Sequence, residues 1–294
     1  MNEHRALIAA CVAATWLIWG STYLAIKFAL VSFPPFFGMG TRFVLAGGLL
    51  LAWTRARGRP LPTKVQWRNA AIIGTLLLAG GMGGTAHAEL TVASGLLVAF
   101  IAVMPAMIAI LNLFYGVRPT RLETIGIAIG VIGVFLLTRG AAFSTSVAGL
   151  VWIGLGTISW SVGSVLSQQR LPLAPGAVGF GSEMLCGGVV LLLLGALSRE
   201  SVHWPPTPLA FWSWIYLIIF GSLIAFNAYM FLLERASAAL ASSYAFVNPV
   251  IAMLLGVGLG GETVTHYEWW AVAVIMGGVL LLLVGRSQKK NGGH

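Results

Sequence analysis

The residues best suited to hold a small molecule in this chain are aromatic. Trp16, Trp19 and Tyr23 follow one another at intervals of three and four, so they share one face of a helix. Trp160, Tyr244 and Phe246 lie in later apolar stretches, again away from the ends where membrane-interface aromatics collect. An aromatic face binds an apolar or aromatic side chain, and an indole N–H can donate to a carboxylate. Asn227 and Asn248 are uncharged groups in apolar surroundings. Each offers a donor and an acceptor to a polar substrate, or a bridge between helices.

Charged groups inside apolar stretches are few. Arg42 and Glu183 each fall about six residues inside one, and such groups face a partner or a wet cavity. Glu183 reads either as a coupling site for protons or as a structural carboxylate. Lys27 sits near a helix end, placed to snorkel or to meet a carboxylate. His87, two residues from Glu89, is a hydrogen-bonding or substrate-contacting group. His-x-Glu falls short of the three or four ligands a metal site needs. No Ser/His/Asp or Cys/His arrangement has a spacing suited to nucleophilic catalysis, so the reading is no catalytic residue, no metal and no cofactor. Pro105 and Pro249 each fall mid-stretch, where a missing N–H and a clash with the preceding turn bend a helix. They read as hinge or gating positions, or as packing features that membrane helices tolerate.

The elements that must position these groups follow from composition. Of 294 residues, 58% are hydrophobic and 9% charged, with mean hydropathy +0.91. A soluble domain carries about 25% charged residues. The net charge of +9 is spread between long apolar blocks rather than gathered on one polar face, which argues against a nucleic-acid partner. Cys11 and Cys186 lie in separate apolar runs, so no disulfide framework is expected. The class is an all-α integral membrane protein.

A spanning helix needs about 20 apolar residues. Breaks at polar and Pro-rich points predict ten spans: 6–31, 36–53, 69–88, 90–115, 122–138, 147–168, 177–198, 211–233, 236–259 and 269–285. With the N-terminus in the cytoplasm, inner segments hold thirteen Lys and Arg and outer loops only Arg139 and Arg199. That asymmetry predicts both termini cytoplasmic. Trp67, Trp204, Trp212, Trp269 and Trp270 then fall at span ends as interfacial anchors.

The ten spans divide into two fives. Superposing Pro105 on Pro249 sets Gly133 on Gly277; a similar offset sets Trp19 on Trp160 and Arg42 on Glu183. Gly74-Thr75-Leu76 likewise resembles Gly221-Ser222-Leu223. Five is odd, so the second copy enters from the opposite side. Inverted repeats are a recurrent basis of alternating access, with substrate held between the halves. The domains are 6–138 and 147–285.

Trp19-Gly20-Ser21-Thr22-Tyr23-Leu24-Ala25-Ile26-Lys27, Arg42-Phe43-Val44-Leu45-Ala46, Pro105, Pro249 and Gly260-Gly261-Glu262 resemble the drug/metabolite transporter superfamily, in its ten-helix EamA-type branch. The likeness runs over about residues 6–285. Gly116-Val117-Arg118 departs from it, standing where that family usually has a Glu. Within the branch, the Trp-rich first span and His87 are similar to bacterial aromatic amino-acid exporters. The resemblance implies a multi-pass exporter of the bacterial cytoplasmic membrane, acting on small metabolites and above all on aromatic or bulky apolar amino acids. Its expected partners are that substrate and the bilayer, with the monomer as the working unit.

Three rivals predict features of their own. A lipid enzyme needs clustered His, Asp and Glu at one interface, whereas the acids here are eight dispersed Glu and no Asp. A channel needs polar rings. A nucleotide-sugar carrier, or a carrier of other drug-like solutes, is the rival within the superfamily, and a diphosphate calls for inward cations that are scarce here.

Overall fold

The computed structural model describes residues 2–92, 97, 100–137, 146–260 and 265–291. Arg139, Gly261 and Glu262, named above, fall outside the described residues. Among the described residues every regular element is helical.

The chain punctuates its helices with local chemistry. Helix α1 covers Asn2–Ala29. Pro35 opens α2, Pro35–Ala56, where its missing N–H costs nothing. Gly58, at φ +75°, closes it in a Schellman turn: Gly58 N–H donates to Arg55 at 2.9 Å and Arg59 N–H to Thr54 at 3.1 Å. Thr63 and Gln66 form a reciprocal capping box ahead of α3, Lys64–Ala88. Within α3, Thr75–Gly83 is wound as a π-helix. Helix α4, Met104–Leu113, ends at Gly116, φ +73°, in a second Schellman turn. Thr120 and Glu123 box the start of α5, Arg121–Leu137. Ser146 caps α6, Val147–Gln169. Helix α7 spans Ala177–Leu197. Thr207 and Pro208 start α8, Pro208–Arg235, whose Leu217–Phe226 is again π-helical. Short α9, Ala238–Ala241, leads through Ser242 and Ser243 into α10, Tyr244–Gly260; α11 is His266–Asn291.

Helix lies within each of the ten stretches predicted to span. Among the described residues, six helices are long and apolar enough to cross a membrane: Ala6–Ala29, Pro35–Ala56, Lys64–Ala88, Val147–Gln169, Ala177–Leu197 and Pro208–Arg235. The apolar helices Phe100–Leu113, Ala238–Ile251 and Trp269–Val284 are shorter. Two of the shortened stretches are interrupted, at Val103 and at Ser242–Ser243.

Pro105 occupies the first turn of α4, directly after the break at Val103, rather than the middle of a helix. The reason is elementary: a proline is tolerated at a helix start and disruptive in its interior. Pro249 does lie inside α10.

Two helix pairs pack backbone to backbone. A Cβ on Gly47 of α2 would stand 2.6 Å from the Leu185 nitrogen of α7. One on Gly278 of α11 would stand 2.8 Å from the Gly130 nitrogen of α5. Small residues allow this approach, which gives membrane helices their packing energy. Glu200, beyond the end of α7, accepts from the N–H groups of Phe36 (3.0 Å) and Phe37 (2.8 Å) and so caps the start of α2.

Candidate substrate cavity

Four rings from four helices meet in the interior. Trp19 (α1) lies edge-on to Trp160 (α6), with centroids 5.6 Å apart, and to Tyr244 (α10) at 4.6 Å. Tyr229 (α8) closes the group, 5.2 Å from Trp19 and 5.3 Å from Trp160. All four are buried. Trp160 fits because Gly81 of the π-helical stretch has no side chain: a Cβ there would lie 2.7 Å from the indole. The 3.6-residue repeat of each helix selects which ring points inward, and tilted or edge contacts are the favoured geometry for such pairs.

Trp19, Trp160 and Tyr244 of this cluster form one wall of a narrow, partly open cavity. Trp19, Tyr23, Trp160, Tyr244 and Asn248 line it, so five of the residues singled out from sequence converge. None of the described lining residues is charged. Asn248 is 1% exposed, and both ends of its amide lack a hydrogen-bond partner. It stands beside the Tyr23 hydroxyl without meeting hydrogen-bond geometry. A buried amide in that state normally has a partner, which makes it the strongest polar feature of the cavity.

The indole N–H groups expected to greet a carboxylate are engaged elsewhere. Trp16 donates to Ser243 Oγ (3.0 Å), Trp19 to the Gly221 carbonyl (3.3 Å) and Trp160 to the Tyr229 hydroxyl (3.1 Å). Burial drives the Trp19 and Trp160 donors to find protein acceptors. Tyr229 also shares a 2.6 Å hydrogen bond with Ser164. Trp16 and His87 lie outside the cavity lining. His87 is stacked between Phe36 and Trp152, both at 4.6 Å, with Nδ1 buried and unpartnered. Lys27 is exposed in the last turn of α1.

Arg42 and Glu183 are both 0% exposed. The Arg42 Nε donates to Ser222 Oγ at 2.7 Å, the guanidinium sits 4.7 Å over the Phe43 ring, and Nη2 has no partner. Both Glu183 oxygens are unpartnered. The two side chains therefore do not hydrogen-bond to each other, although their helices α2 and α7 pack together.

Sequence reasoning missed Tyr229, whose ring and hydroxyl tie the cluster together. It lies two residues beyond Asn227, on a face that the doubtful phase of a π-interrupted helix conceals. Of the π-helical stretches, Leu217–Phe226 was unforeseen, whereas Gly80-Gly81-Met82-Gly83-Gly84 permits close helix approach or local unwinding and overlaps Thr75–Gly83.

The family model for EamA-like transporters matches the chain twice, over residues 5–139 and 147–284. The chain belongs to the EamA-like transporter family. It is thus a membrane transporter and not an enzyme. It is 43% identical to the "Uncharacterized inner membrane transporter YedA" of Escherichia coli, over 93% of this chain and 89% of that one. It is 27% identical to an uncharacterized transporter of Synechocystis, over 92% and 87% of the two chains. A crystal structure 22% identical in sequence superposes with a TM-score of 0.78, covering 95% of this chain and 98% of its own; the likeness is one of fold.

Proposed function

We propose that this EamA-family transporter exports amino acids, preferring aromatic or bulky apolar ones, by alternating access across the bacterial inner membrane. The name of the E. coli relative supports the location. In this reading residues 6–138 and 147–285 are inverted five-helix repeats, ten spans in all, with both termini cytoplasmic and the monomer as the working unit. The π-helical stretches Thr75–Gly83 and Leu217–Phe226, one in each half, support the repeat. So does a cavity walled by both halves, as midplane sites in transporters are.

The observation that carries the substrate assignment is the unpartnered Asn248 amide in an otherwise aromatic and apolar cavity. Rings receive the side chain, and the amide, both donor and acceptor, meets the polar end. A diphosphate finds no cation among the described lining residues. Because one methylene is worth roughly 1–3 kcal/mol in such a pocket, several amino acids are carried rather than one.

The test is counterflow of radiolabelled phenylalanine, threonine and a nucleotide sugar in liposomes holding the purified protein. Saturable phenylalanine exchange is expected; exchange of the nucleotide sugar alone would overturn the reading. Orientation has its own test. A cysteine at Trp204 should react with an impermeant thiol reagent from outside intact cells, and one at Arg57 should not.

A further inference from the structure

A second cavity opens where α4, α5, α6 and α8 reach one end of the bundle. It encloses about 750 Å³, part of it open to solvent. Its walls come from both matched regions: Asn112, Arg118 and Glu123 from the first, Gln168, Gln169 and Ala236 from the second. Amide side chains brace these walls, once across the halves and once within the second. Gln169 donates to Asn112 at 3.1 Å, and Gln168 donates to the Leu233 carbonyl at 2.9 Å.

Glu123 is the unusual member. It is 2% exposed, yet it lines the cavity. Its Oε2 accepts from the Thr120 N–H at 2.8 Å, completing the box that starts α5. Its Oε1 is buried with no hydrogen-bond partner. A carboxylate needs far less than this burial to cap a helix, and one lone capping oxygen leaves the other ready for a donor. Arg118, three residues before the helix start, brings an exposed guanidinium to the same cavity.

We propose that this cavity is a docking subsite for a zwitterionic solute, its ammonium on Glu123 Oε1 and its carboxylate on Arg118. The proposal rests on the amino-acid reading above for the kind of solute, but on separate residues and a separate cavity. A free carboxylate oxygen held indoors recognises an ammonium by a charge-assisted hydrogen bond, and arginine recognises a carboxylate by its planar fork. The apolar remainder, Val117, Leu233 and Ala239, tolerates side chains of differing size.

Ala236→Cys places a reporter thiol in the cavity wall, read by the rate of modification with a neutral maleimide in proteoliposomes, against the parent protein as background. Phenylalanine is expected to slow modification at least threefold. Phenylalanine methyl ester, which lacks the carboxylate, and 3-phenylpropionate, which lacks the ammonium, should protect weakly. Adding Glu123→Gln should abolish protection by phenylalanine. Glutamine still offers an oxygen to the Thr120 N–H, so the helix start survives and the charge alone is lost. Arg118→Gln should do the same. Equal protection in both variants, or by both analogues, would overturn the subsite. Phenylalanine that crosses the bilayer without protecting the thiol overturns the subsite alone. Phenylalanine that neither crosses nor protects overturns the amino-acid reading with it.

Discussion

Trp19 and Trp160 meet edge to face with their ring planes at 78°, so the first and sixth helices touch through the same residue type. The Trp160 indole N–H is turned away from the cavity toward Tyr229. What this residue offers a substrate is therefore a ring surface and not a donor.

Trp160→Ala should weaken transport of phenylalanine and tryptophan about two- to tenfold relative to threonine, the span implied by roughly 0.5–1.5 kcal/mol for an aromatic pair. Competitive counterflow with the three amino acids checks it. Equal loss for all three would make Trp160 a packing residue.

Asn248→Leu should separate binding from stability. It removes a buried amide without a partner, so the melting temperature should hold or rise. Apparent affinity for amino acids should fall about tenfold or more, since hydrogen bonds to charged groups contribute roughly 1.5–3 kcal/mol. A variant that melts lower and binds normally would show the amide to be structural.

Glu89, just past the end of α3, predicts a pH effect. Burial pushes its carboxyl well above the usual carboxylate range, and the Lys27 ammonium draws it partly back. A carboxyl raised in the folded state favours folding fully below its unfolded pKa, and that contribution is lost as pH rises through the folded value. Glu89→Gln should therefore melt close to the parent at pH 4 and progressively above it towards pH 8. A constant difference across that window would disprove the effect.

Glu183→Gln should retain most phenylalanine counterflow with little change in its pH dependence. Glu183 is not among the described lining residues of the central cavity, and no acid there stands ready to relay a proton. Loss of counterflow with intact folding and retained binding would make Glu183 a coupling residue.

The apolar stretches were legible because a bilayer demands about 20 residues per crossing, and aromatic spacing of three and four placed Trp19 and Tyr23 on the face that reaches the cavity. Asn248 was legible as a polar group where hydrophobic residues surround it. Hydrogen-bond direction was not. The indole donors point at Ser243, Gly221 and Tyr229, partners supplied by other helices, and no local pattern encodes them. Glu123 escaped for a related reason: at the start of a helix an acid reads as a cap, and only the cavity beside it reveals the spare oxygen.

The wide winding of Thr75–Gly83 and Leu217–Phe226 acts as stored slack. An α-helix advances about 100° per residue, so letting one i→i+5 turn relax to i→i+4 would swivel everything beyond it by about that angle. In the eighth stretch the part beyond is Asn227–Arg235, which carries Tyr229 at the centre of the ring cluster and Leu233 in the wall of the second cavity. A single change of winding would thus unseat the rings at one depth and reshape the opening at another, with no bend in the helix at all.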